Sequence, residues 1–268
     1  MSTSRNENTM TSEKLLFPTS GAAFVAGGSG GIGSAICKRL AQSGTPVVLT
    51  YKTNEAKARA VVEEIEAEGG RATAIPLALE DANAVKSAVD AAAQTEGGIH
   101  TVIYATGPFV HFRFVSKMTP AEMQEYLNVD TMACFNLMHA ALPYIRAAKG
   151  SALAITTCAI DRWANQDGLS AIPKAAVNAI MHGIAKEEGR FGVRANMVAL
   201  GVIDAGMFNR AKDEGYINDA YLEAMSNNLP LRRPGRAEEV AEAAHFLTSS
   251  LASYTTGQIL QVDGGWNI

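Results

Sequence analysis

Short runs of aliphatic and β-branched residues alternate along this chain with longer stretches whose apolar positions recur every three or four residues. The runs at 22–26, 46–51, 72–77, 100–105, 152–157, 194–199 and 258–262 read as strands, and the stretches 31–42, 55–68, 82–93, 130–148, 172–188 and 237–249 as helices. Nearly continuous apolar strands separated by amphipathic helices are the pattern of a parallel sheet covered on both faces. The expectation is one α/β domain with a seven-stranded parallel sheet.

Two regions break the rhythm. Residues 203–236 carry Gly206, Gly215, Asn227, Asn228, Pro230, Pro234 and Gly235 around a short helical pattern at 217–225, and an excursion of this length is uncommon unless functional. It is expected to be a substrate-side lid. Residues 1–20 are polar and are expected to form a flexible tail, leaving 21–268 as the domain.

The first strand runs directly into Gly27-Gly28-Ser29-Gly30-Gly31-Ile32-Gly33 and then into a helix. Glycines in such a strand-to-helix turn permit close backbone approach, and the helix beyond presents unpaired N–H groups suited to a pyrophosphate. Gly27, Ser29, Gly30, Gly31, Ile32 and Gly33 are therefore candidate dinucleotide-binding residues in a doubly wound, Rossmann-type fold. Ala26 to Gly33 reads A-G-x-x-x-G-x-G, which resembles the T-G-x-x-x-G-x-G of short-chain dehydrogenases/reductases with Ala26 for the threonine. The segments 231–241 and 256–265 resemble that family's C-terminal part. The resemblance implies a nicotinamide dinucleotide and an oxidoreductase.

Composition removes other classes. With 268 residues, 47% of them hydrophobic, the chain buries a core without metal or disulfide; its net charge of -4 and lack of a basic run argue against nucleic-acid or anionic-membrane partners. Three cysteines without paired spacing suggest neither a disulfide framework nor a metal site, and reduced thiols suit the cytoplasm. No secretory signal and no uninterrupted apolar run of about 18 residues is found, so a cytoplasmic protein is expected.

The end of the second strand indicates which cofactor. An NAD site usually places a carboxylate there for the ribose 2′-OH, whereas this chain reads Thr50-Tyr51-Lys52-Thr53-Asn54. Lys52 and Thr53 suit a 2′-phosphate, with Glu55 partly offsetting the lysine's charge, so NADP(H) is expected over NAD(H). Ala78 stands where the family commonly has an aspartate near the adenine, leaving Leu79 and Glu80 to line that end. The family's N-N-A-G is here Tyr104-Ala105-Thr106-Gly107, with Gly107 keeping the close approach and Tyr104 read as a packing residue. Leu200-Gly201-Val202-Ile203 resembles the family's P-G-x-I, implying that Gly201 and Ile203 hold the nicotinamide carboxamide; the usual threonine two residues on is Ala205.

In the family a tyrosine, set by serine and lysine in Y-x-x-x-K, protonates the oxygen that hydride transfer leaves electron-rich. This chain has Ser170-Ala171-Ile172-Pro173-Lys174, so the lysine remains and the tyrosine is replaced. Thr157 matches the serine position and Asp130, expected to open a helix, matches the asparagine of the tetrad. Lys174, Thr157, Asp130 and Ser170 are the candidate catalytic residues, Lys174 also as a ribose contact. Ser170 followed by AlaIlePro also reads as a helix N-cap with Pro173 in the first turn.

The S-x-x-x-K arrangement resembles 2,4-dienoyl-CoA reductases, although Cys158-Ala159 stands where their relocated tyrosine falls, and 3-oxoacyl-ACP reductases are also similar. Tyr104, Tyr126, Cys158, Asp161 and His111 are alternative proton donors, and Trp163 is a candidate wall of a moderately apolar substrate pocket. The reading is an NADP(H)-dependent enzyme transferring hydride to a C=C conjugated to a carbonyl, or to a ketone. A dinucleotide-binding protein without redox turnover and a lyase, isomerase or cyclase are the alternatives. The helices 130–148 and 172–188 resemble those through which the family forms dimers and tetramers.

Overall fold

The computed structural model describes residues 16–268, so the expected tail lies outside the described residues up to residue 15. Seven parallel strands form one sheet in the order β3-β2-β1-β4-β5-β6-β7. They are β1 (Ala22–Ala26), β2 (Val47–Tyr51), β3 (Ala72–Pro76), β4 (Ile99–Tyr104), β5 (Ser151–Thr157), β6 (Arg194–Leu200) and β7 (Ile259–Val262). The strand order reverses between β1 and β4, which opens a crevice beyond their carboxyl ends, the usual ligand site of such sheets.

Both faces of the sheet are covered, as the apolar strands require. On one side α3 (Ala82–Glu96), α5 (Ala133–Ala147) and α6 (Gly168–Glu188) close over a core that includes Phe24, Val102, Leu137, Ile145 and Met181. On the other, α1 (Gly31–Gln42), α2 (Glu55–Ala67) and α9 (Ala237–Thr248) bury Val25, Ile36, Leu40, Leu49 and Leu247. Phe17 joins this second core, packing edge-on to His245 with ring centroids 5.3 Å apart.

The region after β4 differs from expectation. Asp130 does not open a helix: α4 (Pro120–Tyr126) runs through a π-helical stretch, Leu127–Met132, into α5 without a break. The helix starts earlier because Thr119 and Glu122 form a reciprocal capping box with Pro120 in the first turn. Asp130 thus sits mid-helix, in the kind of wide turn that often marks a functional position.

Ser170 is likewise not the N-cap of α6. Asp167 occupies that position, the helix begins at Gly168, and Pro173 falls in the second turn rather than the first. The irregular region 203–236 holds α7 (Met207–Asp213) and α8 (Asp219–Asn228), longer than the expected single helical pattern. Phe208, Met225 and Leu229 form a small core of their own there, with Trp266 packed against it.

Candidate active site

Backbone bonds close the glycine turn. Gly30 N–H donates to Gly27 O at 3.0 Å, Gly27 N–H to the Thr50 hydroxyl of β2 at 3.2 Å, and Ser34 N–H to Gly30 O at 2.8 Å. A Cβ at Gly33 would lie 2.2 Å from Gly27 O, so only glycine allows the helix to start this close to the turn. Gly31 faces the start of α7 instead, where a Cβ would stand 2.6 Å from Gly206 N. The α1 N-terminus has no side-chain cap and no acidic residue in its first turn. Its free N–H groups and positive dipole end suit an anion.

These features open onto a cavity of about 660 Å³ along the strand ends. Gly27, Ser29, Gly30, Gly31 and Ile32 form the part of the wall at the glycine turn. Tyr51, Lys52, Thr53, Leu79 and Glu80 line one extension, and Asn136 holds the last of these loops by donating to Leu79 O at 3.0 Å. Ala105, Thr106 and Gly107 lead into the other, whose wall includes Thr157, Ser170 and Lys174. Gly33 supports the turn from behind, as its packing shows.

Gly201 and Ile203 are not brought to the cavity wall. Gly201 packs on Asp263, where a Cβ would be 2.6 Å from the aspartate Cα, and Ile203 is buried in the core beside Val202 and Gly235. Leu200, Gly206 and Met207 line the cavity in their stead. Sequence comparison by motif marked the neighbouring positions but had no signal for these.

At the extension lined by Lys52, an ion pair departs from expectation. Lys52 is paired with Glu80, while Glu55 engages Arg59 at 2.7 Å. Burial pushes the Glu80 carboxyl up, but the Lys52 ammonium and a backbone bond outweigh it and hold the carboxyl below its ordinary value. Glu80, rather than Glu55, is the counter-charge a 2′-phosphate would meet.

The other extension contains a buried polar cluster. Lys174 donates to Asp130 Oδ1 at 2.8 Å and to Thr106 O at 2.9 Å, and its ammonium lies 4.8 Å from the Tyr104 ring centroid. Tyr104, fully buried at the end of β4, donates to Asp130 Oδ1 at 2.8 Å and to Asp130 O at 3.0 Å. Burial first, then the neighbouring Asp130, pushes the phenol well above its ordinary range, so it remains a donor. Tyr104 is more than packing: it orients the aspartate that anchors Lys174.

None of the other candidate donors lines the cavity. Tyr126 donates to Phe109 O at 2.8 Å and receives His111 N–H at 3.3 Å, which ties down the loop after β4. Cys158 is buried, its thiol pushed up to about 12 by burial, and Asp161 accepts from Gln261 at 2.8 Å. Trp163 is half exposed, outside the wall.

Comparison with known proteins agrees with this geometry. The profile of the family described as enoyl-(acyl carrier protein) reductase matches residues 26–267. An uncharacterized oxidoreductase of Bacillus subtilis is 31% identical over 246 residues, covering 91% of this chain and 98% of its own length. A 3-oxoacyl-[acyl-carrier-protein] reductase of Staphylococcus aureus is 29% identical over 244 residues, covering 91% and 96%. Among solved structures, a short-chain dehydrogenase from Burkholderia cenocepacia in complex with NADP is 31% identical, with a TM-score of 0.84 over 92% of this chain and 98% of that one. By sequence, sheet order and the position of its glycine turn, the chain belongs to the short-chain dehydrogenase/reductase family of oxidoreductases.

Proposed function

We propose that the protein is an NADP(H)-dependent oxidoreductase delivering hydride to a C=C conjugated to a carbonyl, with a ketone as the second candidate acceptor. The observation that carries this reading is the Lys174 ammonium, fixed by Asp130 and Thr106 in a wall that also holds Thr157 and Ser170, at a cavity end with no tyrosine in its wall. An ammonium has three donors and two are committed, so the third is free for a ribose hydroxyl.

The residues fit a nicotinamide dinucleotide. A glycine turn with no room for a Cβ and an uncapped helix end take the pyrophosphate, and Lys52 and Thr53 take a 2′-phosphate. Two related structures, the Burkholderia protein and a blue fluorescent protein from a metagenomic library, carry NADP or NADPH by their descriptions, which supports the same preference here. When bound, the cofactor supplies the hydride. Thr157 and Ser170 offer hydroxyls to the substrate oxygen, on which reduction builds negative charge, and the nearby Lys174 cation stabilises that charge.

Conjugate reduction is favoured because it leaves an enolate, which needs hydrogen-bond donors at oxygen more than a strong acid beside it. The description of the matched family is that of an enoyl reductase; the Staphylococcus relative is named for a 3-oxo group, which keeps the ketone reading in view. Phe109 and Phe112 approach Tyr216 of the lid with centroids 6.3 and 6.5 Å apart, consistent with a moderately apolar small-molecule substrate. Exposed Met132 and Phe135 on the α4–α5 helix support assembly into a homo-oligomer. No helix among the described residues is long and apolar enough to cross a membrane.

The test is oxidation of stereospecifically deuterated NADPH with enones, enoyl thioesters and ketones. Deuterium at a β-carbon is the expected result, and deuterium at a carbinol carbon selects the ketone reading. Tight cofactor binding without transfer to any of them overturns the reductase reading in favour of a non-redox role.

A further inference from the structure

Thr156, the penultimate residue of β5, is 3% exposed, and its buried hydroxyl has no hydrogen-bond partner. A polar group left unpaired in the interior is destabilising, and one that persists calls for an explanation. Among the described residues that carry such an atom, Thr156 alone lines the cavity.

The strand fixes where this side chain lies. Ala152 and Ala154 of β5 belong to the core under α6, and Leu153 and Ile155 to the opposite core. By that alternation Thr156 continues the first face, which is also the face of Tyr104. β4 and β5 pair in parallel with Tyr104 beside Ala154, so Thr106 and Thr156 each stand two residues beyond that pair. Lys174 Nζ donates to Thr106 O at 2.9 Å and lies 4.8 Å from the Tyr104 ring centroid, which brings the ammonium down on the same face at the level of Thr156. Thr157 alternates to the other side, where its oxygen accepts Ala159 N–H at 3.2 Å.

The lysine and the unpaired hydroxyl are complementary in function. An ammonium only donates, and Lys174 has one donor uncommitted, whereas a threonine oxygen also accepts. A ribose diol needs both, because each of its hydroxyls carries a proton that must find an acceptor when it leaves water. A carbonyl substrate has no such proton to give.

We propose that Thr156 is a cofactor-binding residue, its hydroxyl accepting from a hydroxyl of the nicotinamide ribose while Lys174 donates to the same diol. It rests on the reading of the cavity as a nicotinamide dinucleotide site. The free protein holds the Thr156 hydroxyl unpaired at a cost in stability, and the bound dinucleotide satisfies it.

Thr156→Val keeps the shape of the side chain and removes the hydroxyl. In thermal melts without ligand, this variant should be as stable as the wild type or more so, since the unpaired group is gone. Fluorescence titration should show NADPH bound about fivefold to tenfold more weakly, as loss of one hydrogen bond requires. Adenosine 2′,5′-bisphosphate, which lacks the nicotinamide ribose, should bind both proteins equally. Thr156→Ser returns a hydroxyl and should restore most of the NADPH affinity, which also covers a failure of the valine variant to fold. Unaltered NADPH binding in Thr156→Val, equal weakening of NADPH and the bisphosphate, or a loss of stability without ligand makes Thr156 a structural residue and overturns the proposal while leaving the dinucleotide reading intact. A wild type that binds neither NADPH nor the bisphosphate overturns both.

Discussion

The Tyr104 hydroxyl donates to Asp130 Oδ1 over 2.8 Å, from the end of β4 to the π-helical turn above it. The same oxygen accepts from Lys174, so a single carboxylate atom ties strand, helix and cation together. Tyr104→Phe should therefore cost about 2 kcal/mol of stability, the order of a hydrogen bond to a charged acceptor. Because the folded phenol titrates well above its ordinary range, this contribution is fully present below about pH 10 and is lost above it. Urea unfolding of both proteins between pH 6 and 9 should give a constant difference.

Removing the lysine exposes the other side of the same arrangement. Lys174→Met leaves Asp130, whose side chain is only 3% exposed, without its cation and should destabilise by about 3–5 kcal/mol. Asp130→Asn with Lys174→Met should lose much less than the sum of the single changes, since the uncompensated charge goes too. A double-mutant cycle by denaturation measures this. Additive losses would show that the pair is not coupled.

Cofactor preference should respond to two residues in opposite directions. Lys52→Ala is expected to weaken NADPH about tenfold and NADH far less, as loss of one charge-assisted bond to a 2′-phosphate requires. Glu80→Gln frees Lys52 from its partner and should tighten NADPH. Fluorescence titration with both dinucleotides checks both. Equal weakening of NADPH and NADH by Lys52→Ala would reduce Lys52 to a surface lysine.

Asp167, the N-cap of α6, makes a stability prediction of its own. The folded protein binds its proton more tightly than an ordinary carboxyl does, so the neutral form's contribution is full below about pH 4 and is lost as pH rises through about 6. Asp167→Asn has no charge to bury. It should be more stable than the wild type at pH 8 by on the order of 2 kcal/mol, with no gain at pH 3.5. Thermal melts at the two pH values decide it.

Most of the fold was legible because strand and helix periodicities differ and the glycines mark the first turn. Each of the seven strands falls within a residue of its expected bounds. The start of α4 was missed although Thr119-Pro120-Ala121-Glu122 carries a capping signal, because the apolar pattern is weak there. Lys174, Thr157 and Ser170 were singled out by resemblance to the family's motif and the glycine turn by its place after β1, and all of them line one cavity. The partnership of Tyr104 with Asp130 was not, because it joins residues 26 apart through a π-helical turn that no periodicity encodes. Nor was the pairing of Glu80 with Lys52, since it depends on β2 and β3 being neighbours in the sheet.

Gly31 and Gly206 meet backbone to backbone, the turn at the cavity floor against the N-cap of α7. With no side chain between them, nothing compressible separates the two segments. The two segments sit like a pin in its socket, and a methyl group on Gly31 would wedge the joint apart.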